Sequence, residues 1–180
     1  MSTIRTFVSI PVPVTAEAES LRRDLRIAGI RPSPPDQTHI TLKFVGDIDQ
    51  SKSDRLVRCV EQALSGIAPF ELRIRGLGAF PNTRNPSIVW MGADPSDILS
   101  DLSERIGASL SAAGFDFDDK PFKAHVTVAR CRDSKPSAQL FEKYADTQFS
   151  QSVCREVLVM KSVLGPSGAK HSVISRVPLQ

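Results

Sequence analysis

The 180-residue chain predicts an α+β protein, one domain over residues 1–180 built of two similar lobes. Each lobe is expected to be an antiparallel sheet with helices on its outer face, and the two sheets are expected to flank a central cleft. Two observations predict this. Strand-like and helix-like segments alternate irregularly along the chain, and 41% apolar content over this length is enough for one sizeable core. In addition, His39-Ile40-Thr41-Leu42 returns 86 positions later as His125-Val126-Thr127-Val128, so two of the three histidines occupy one His-x-Thr-x tetrapeptide. The repeat predicts pseudo-symmetric lobes, although the halves share no other visible likeness.

Thr3 to Ile10 reads as the opening strand. Thr15 to Ala28 reads as a helix with Ala18, Leu21 and Leu25 on one face, capped by Thr15, with Glu17 and Glu19 near its positive end and Gly29 stopping it. The first motif opens His39 to Val45, a β-branched and apolar run of period two. Ile40, Leu42 and Phe44 are therefore predicted to turn away from His39 and Thr41 into a core. Ser53 to Leu64 predicts a helix buried through Leu56, Cys59, Val60, Ala63 and Leu64. Phe70 to Leu77 and Ser87 to Gly92 predict paired strands joined through Pro81 to Pro86, and Asp97 to Ala113 a third helix closed by Gly114. The second motif strand, His125 to Ala129, sends Val126 and Val128 into the core. Ser137 to Ala145 reads as a short helix. Ser152 to Leu164 and Ser172 to Val177 read as the last two strands, around the turn Gly165-Pro166-Ser167-Gly168. That turn lacks the Walker spacing, and Gly76-x-Gly78 has no third glycine opening a helix, so neither nucleotide-binding loop is expected.

In such strands His and Thr share a face, and His39 and Thr41 stand roughly 7 Å apart, close enough to converge on one small anion. An unperturbed imidazole titrates at about 6.5, so near neutral pH one ring can be a neutral base while its partner is a protonated acid. Such a pair supports in-line displacement at phosphorus. One ring takes a proton from the attacking water and the other delivers one to the leaving oxygen, each contributing roughly 10²- to 10⁴-fold. The Thr41 and Thr127 hydroxyls can hold the non-bridging oxygens. Neither a metal nor a cofactor is required. A lone histidine at a strand start is more often a satisfied structural residue. Two copies, each preceded by a polar, Pro-containing segment (Arg31 to Thr38 and Asp116 to Lys123), favour a paired catalytic site.

These residues resemble the two-histidine (2H) phosphoesterases, in particular the RNA 2′,3′-cyclic phosphodiesterase group, the LigT-like or 2′-5′ RNA ligase proteins. The likeness runs almost end to end: Arg5-Thr-Phe-Val-Ser-Ile10, His39-Ile-Thr-Leu-Lys-Phe-Val-Gly46, Gly76-Leu-Gly-Ala-Phe-Pro81, Phe122-Lys-Ala-His-Val-Thr-Val-Ala-Arg130 and Ser162-Val-Leu-Gly-Pro-Ser-Gly-Ala169. The resemblance implies hydrolysis of an RNA 2′,3′-cyclic phosphate end to a 2′-phosphate, with His39 as proton donor and His125 as proton acceptor. Where the family usually has Asn before the first motif and Pro before the second, this chain has Thr38 and Ala124, positions that affect how each strand enters the cleft. Two other readings use the same residues. A 2′-5′ RNA ligase would run the chemistry in reverse, and a non-catalytic RNA-end binding module would use the histidines only as hydrogen-bonding groups.

Net charge is only +3, which excludes a polybasic coat for duplex DNA. Basic residues do gather near the motifs: Lys43 beside the first, Lys120, Lys123, Arg130, Arg132 and Lys135 around the second, and Arg73, Arg75 and Arg84 between them. A basic cleft of this kind would draw in RNA phosphates. Arg130 lies at an odd offset from His125, so it reaches phosphate only if the strand ends or bulges there. His171 reads as a solvated strand residue, with contact at the cleft edge as the alternative. Cys59, Cys131 and Cys154 are too widely spaced for a zinc cluster or a disulfide framework, and a Cys131–His125 pair would require a shared face. The N-terminus has no basic region followed by an extended apolar stretch, and no apolar run reaches about 18 residues. A cytoplasmic protein without membrane contact or an obligate protein partner is expected.

Overall fold

The structure, a computed structural model, describes residues 2–180. Its elements are β1 (Thr3–Pro11), α1 (Ala16–Ile27), β2 (His39–Asp49), α2 (Ser53–Ala63), β3 (Phe70–Phe80), β4 (Ile88–Asp94), α3 (Ser96–Ala112), β5 (His125–Arg130), α4 (Ala138–Tyr144), β6 (Gln148–Cys154), β7 (Glu156–Gly165) and β8 (Gly168–Pro178). They build two four-stranded antiparallel sheets, in the orders β2-β1-β7-β8 and β5-β4-β3-β6. The α+β class and the two-sheet plan are as the sequence predicts. Each motif strand is an edge strand, and the edges β2 and β5 adjoin.

The lobes are not the two halves of the chain. The first sheet joins the N-terminal strands to the C-terminal hairpin, while the second is made wholly from the middle of the chain. This corrects one expectation. Ser152 to Leu164 is not one strand: it breaks at Arg155, β6 pairing with β3 and β7 with β1. The run contains no Gly or Pro to punctuate it. The break comes from a change of partner sheet, which local propensity does not encode.

Helix ends follow the predicted chemistry. The Thr15 side chain accepts from the Ala18 N–H at 3.2 Å, capping α1. Gly29 and Gly114 take φ of +80° and +78°, which lets the chain reverse so that Ile30 N–H donates to Leu25 O (2.9 Å) and Phe115 N–H to Leu110 O (3.0 Å). Both ends are Schellman motifs, with the apolar pairs Ile30/Leu25 and Phe115/Leu110 buried beneath the turn. Two stretches therefore share one plan: strand, helix, glycine stop, loop, motif strand.

The helices also exchange lobes. Helix α3, which follows a strand of the second sheet, packs on β2 and α2 of the first; helix α1, which follows a strand of the first, packs against β6 of the second. At that second junction Asp24 accepts from Lys143 Nζ (2.8 Å) and from the Tyr144 hydroxyl (2.6 Å) of α4. Each layer of helices thus ties the sheets to one another. Among the described residues no helix is long and apolar enough to cross a membrane.

Candidate active site

In a regular strand Phe44 and Arg130, each five residues after its motif histidine, would face away from His39 and His125. A β-bulge in each strand reverses this. Val8 and Ser9 of β1 pair with Lys43 and Thr41, leaving Leu42 as the extra residue. Val89 and Trp90 of β4 pair with Ala129 and Thr127, leaving Val128 extra. The bulge falls one residue past the threonine in both copies, and beyond it the facing of the side chains flips. Phe44 and Arg130 consequently join His39, Thr41, His125 and Thr127 around one cleft of about 360 Å³. The expectation that Phe44 is core is overturned: it is 41% exposed, and Val45 takes the buried place at 6%.

Each bulge is braced by the other half of the chain. The Leu42 carbonyl accepts from the buried Ser103 hydroxyl of α3 at 2.7 Å, and the Val128 carbonyl accepts from Ser33 N–H, in the loop before β2, at 2.7 Å. The loop before β5 reciprocates, Asp118 N–H donating to the Phe44 carbonyl at 2.9 Å. The loop before β2 is anchored in turn by Arg22, whose side chain is 1% exposed. Its guanidinium donates to the Thr38 hydroxyl, to the Ser33 carbonyl (3.3 Å) and to Glu19 (2.9 Å). Thr38 therefore has a defined place behind the site, because its hydroxyl ties the residue before His39 to a buried cation.

Each motif histidine sits in a group of three rings. Phe7 stacks on His39 at 5.2 Å between centroids, and His171 meets His39 edge-on at 5.5 Å and Phe7 at 4.9 Å. On the other side Phe80 lies 5.0 Å and Trp90 6.4 Å from His125. Trp90 lies flat over Gly78, where a Cβ would come within 2.4 Å of the indole. The Lys123 ammonium stands 4.9 Å from the Trp90 ring and 5.2 Å from that of Phe80.

Burial favours the neutral form of both imidazoles. It pushes His39 down to about 4, with the neighbouring His171 ring adding to the effect and the Gln37 backbone opposing it. His125 is also lowered, first by burial, while the Lys123 carbonyl favours the charged ring and the Lys123 ammonium disfavours it. His125 Nδ1–H donates to the Lys123 carbonyl at 2.6 Å, which leaves the Nε2 lone pair free to accept a proton. The rings are thus held in their faces by backbone and aromatic contacts rather than by carboxylates.

The cleft gathers every residue expected from the motifs and leaves out most of the expected basic ones. Lys43 instead stacks on Phe117 at 5.1 Å, Arg73 pairs with Glu71, and Arg75 with Asp146. Arg130 lines the cleft, while Lys43, Lys120 and Lys123 line an adjoining pocket that shares Thr41, Phe44 and His125 with it. Cys131 is not among its lining residues, and burial raises its thiol, the opposite of an activated nucleophile. Phe7, Gln37 and Ser162 line the cleft without having been anticipated, and His171 takes the cleft-edge place that stood as the alternative to a solvated strand residue. Nothing in the local sequence around His171 marks it, because its place depends on how the first sheet curves.

A family model described as the 2′-5′ RNA ligase superfamily matches residues 10–164 of the chain. The chain is 32% identical over 171 residues to the RNA 2′,3′-cyclic phosphodiesterase of Archaeoglobus fulgidus, covering 92% of this chain and 94% of that protein. Among solved structures it is similar to a protein of Thermus thermophilus, with a TM-score of 0.82, 26% identity and 98% of each chain covered. It shares its fold with Escherichia coli LigT, at a TM-score of 0.76 and 20% identity over 100% of this chain and 99% of that one.

Proposed function

The chain belongs to the 2′-5′ RNA ligase superfamily, and from that premise we propose that it is an RNA 2′,3′-cyclic phosphodiesterase whose chemistry runs between the two motif histidines. The substrate is an RNA end bearing a 2′,3′-cyclic phosphate. His125, its Nδ1–H fixed on the Lys123 carbonyl, takes a proton from the attacking water through Nε2. The new P–O bond forms as the P–O3′ bond breaks, and His39 delivers a proton to the departing 3′ oxygen. The products are a 3′ hydroxyl and a 2′-phosphomonoester. Thr41 and Thr127 donate to the non-bridging oxygens, and Arg130 adds a fixed positive charge at the cleft wall.

In the free protein His39 is neutral at pH 7. An acid role therefore requires that binding supply the missing stabilisation of its charged form. A cyclic phosphate monoanion against the ring does so, since an opposite charge within about 4–6 Å raises an imidazole pKa. The proton is thus loaded on His39 as the substrate seats.

The observation that supports this reading is the single cleft lined by both His-Thr pairs, carried on the adjoining edges β2 and β5, and by Arg130, turned inward by the bulge in β5. The test is incubation with an oligonucleotide ending in a 2′,3′-cyclic phosphate, followed by phosphorus NMR of the product. A 2′-phosphate is expected. A 3′-phosphate would reverse the orientation between the two histidines, and an absence of turnover would refute the phosphodiesterase reading.

A further inference from the structure

Strand β8 is three strands away from β2 in the first sheet. Across a flat sheet that is about 14 Å, from spacings of roughly 4.8 Å. Yet the His171 ring on β8 lies 5.5 Å from the His39 ring on β2. The sheet therefore curls until its far hairpin forms a wall of the cleft, and Gln37 Nε2, donating to the Ala169 carbonyl at 2.6 Å, closes the gap between the two edges. Both Ala169 and His171 line the cleft.

The His171 ring has one nitrogen, Nδ1, buried with no hydrogen-bond partner among the described residues. A buried N–H without an acceptor is costlier and rarer than a buried lone pair without a donor. The neutral ring therefore keeps its proton on Nε2 and leaves Nδ1 as the bare lone pair. Burial holds His171 below its ordinary value, while Asp36 pulls the other way. The remaining groups facing the ring are Phe7, His39 and, directly across the strand pair, Ser162.

We propose that His171 is a substrate-contacting residue: its Nε2–H donates a hydrogen bond to a non-bridging phosphate oxygen of the terminal nucleotide while His39 engages the 3′ oxygen. The proposal rests on the phosphodiesterase reading. The geometry behind it is that both rings line one cleft with centroids 5.5 Å apart, close enough for two oxygens of a single phosphate group to meet one ring each. His171 has no catalytic proton to move. It acts by holding the ground state and the transition state alike, so its loss falls on KM.

Steady-state kinetics on a nucleoside 2′,3′-cyclic monophosphate provide the test, comparing wild type with His171→Phe, which keeps a ring against Phe7 and His39, and His171→Gln, whose amide N–H stands near the position of Nε2. His171→Phe should raise KM roughly 10- to 100-fold, the range of a hydrogen bond to a charged group, with kcat within about threefold of wild type. His171→Gln should recover most of the loss. An unchanged KM in His171→Phe, or a loss confined to kcat, would overturn the proposal while normal wild-type turnover left the phosphodiesterase reading standing. Wild-type protein without turnover would overturn both. Nitrogen-15 NMR of the wild-type imidazoles gives a readout independent of any variant's folding. The Nε2-protonated tautomer is expected for His171, with its Nε2 resonance shifting on addition of a nucleoside 2′-monophosphate; the opposite tautomer, or no shift at saturation, would refute the contact.

Discussion

At the scale of single residues, the proposed mechanism rests on His39 and His125, whose surroundings differ. His39→Ala and His125→Ala should each lower kcat by at least about 100-fold, the low end of general acid or base catalysis. The double variant should lose little more than the worse single one, because both rings serve one transition state. Near-wild-type turnover in either folded variant would rule out the paired mechanism. The pH dependence carries a sign. Burial lowers both rings in the free protein, His39 to about 4, whereas a bound phosphate anion stabilises the imidazolium form of each and raises both values. The kcat/KM profile reports the free protein and the kcat profile the complex. Both limbs of the kcat bell should therefore lie at higher pH than those of kcat/KM. Coincident profiles, or the reverse order, would show that substrate does not load the proton.

Among the elements, the decisive devices are the two bulges rather than the strands that contain them. Leu42 and Val128 have nothing in their local sequence that demands a bulge; each lies in a largely β-branched and apolar run that contains no Gly or Pro. Strict alternation therefore misplaces Phe44 in the core and leaves Arg130 facing away, and the pairing with β1 and β4 restores both to the cleft. The brace on the first bulge is a single buried hydroxyl, Ser103. Ser103→Ala leaves the Leu42 carbonyl without that donor and should cost about 1–3 kcal/mol of stability, measured as a shift in urea midpoint at constant slope. It should also lower kcat/KM, since Thr41 and Phe44 flank the bulge. A variant as stable and as active as wild type would mean that the bulge is set by the β1 pairing alone.

For the molecule as a whole, the exchange of helices between lobes makes each sheet depend on the other. Residues 1–180 should accordingly unfold as one cooperative unit. Trp90 reports on the second sheet alone, and far-ultraviolet circular dichroism on all elements; their urea transitions should superimpose. Separate midpoints would mean that the lobes melt independently. By itself the sequence determined the α+β class, most helix and strand positions, the glycine-stopped helices and the two His-Thr pairs, because periodicity, caps and a repeated tetrapeptide are local signals. Only the tertiary structure decided the rest. It broke Ser152 to Leu164 between two sheets, set β2 and β5 edge to edge, and placed Arg130 and Phe44 in the cleft. It also curled the first sheet until His171 stood beside His39. The physical reason is the same in each case. Which sheet a strand joins, where its ladder slips a residue and how far a sheet curves are set by partners distant in the chain, and no window of neighbouring residues contains them.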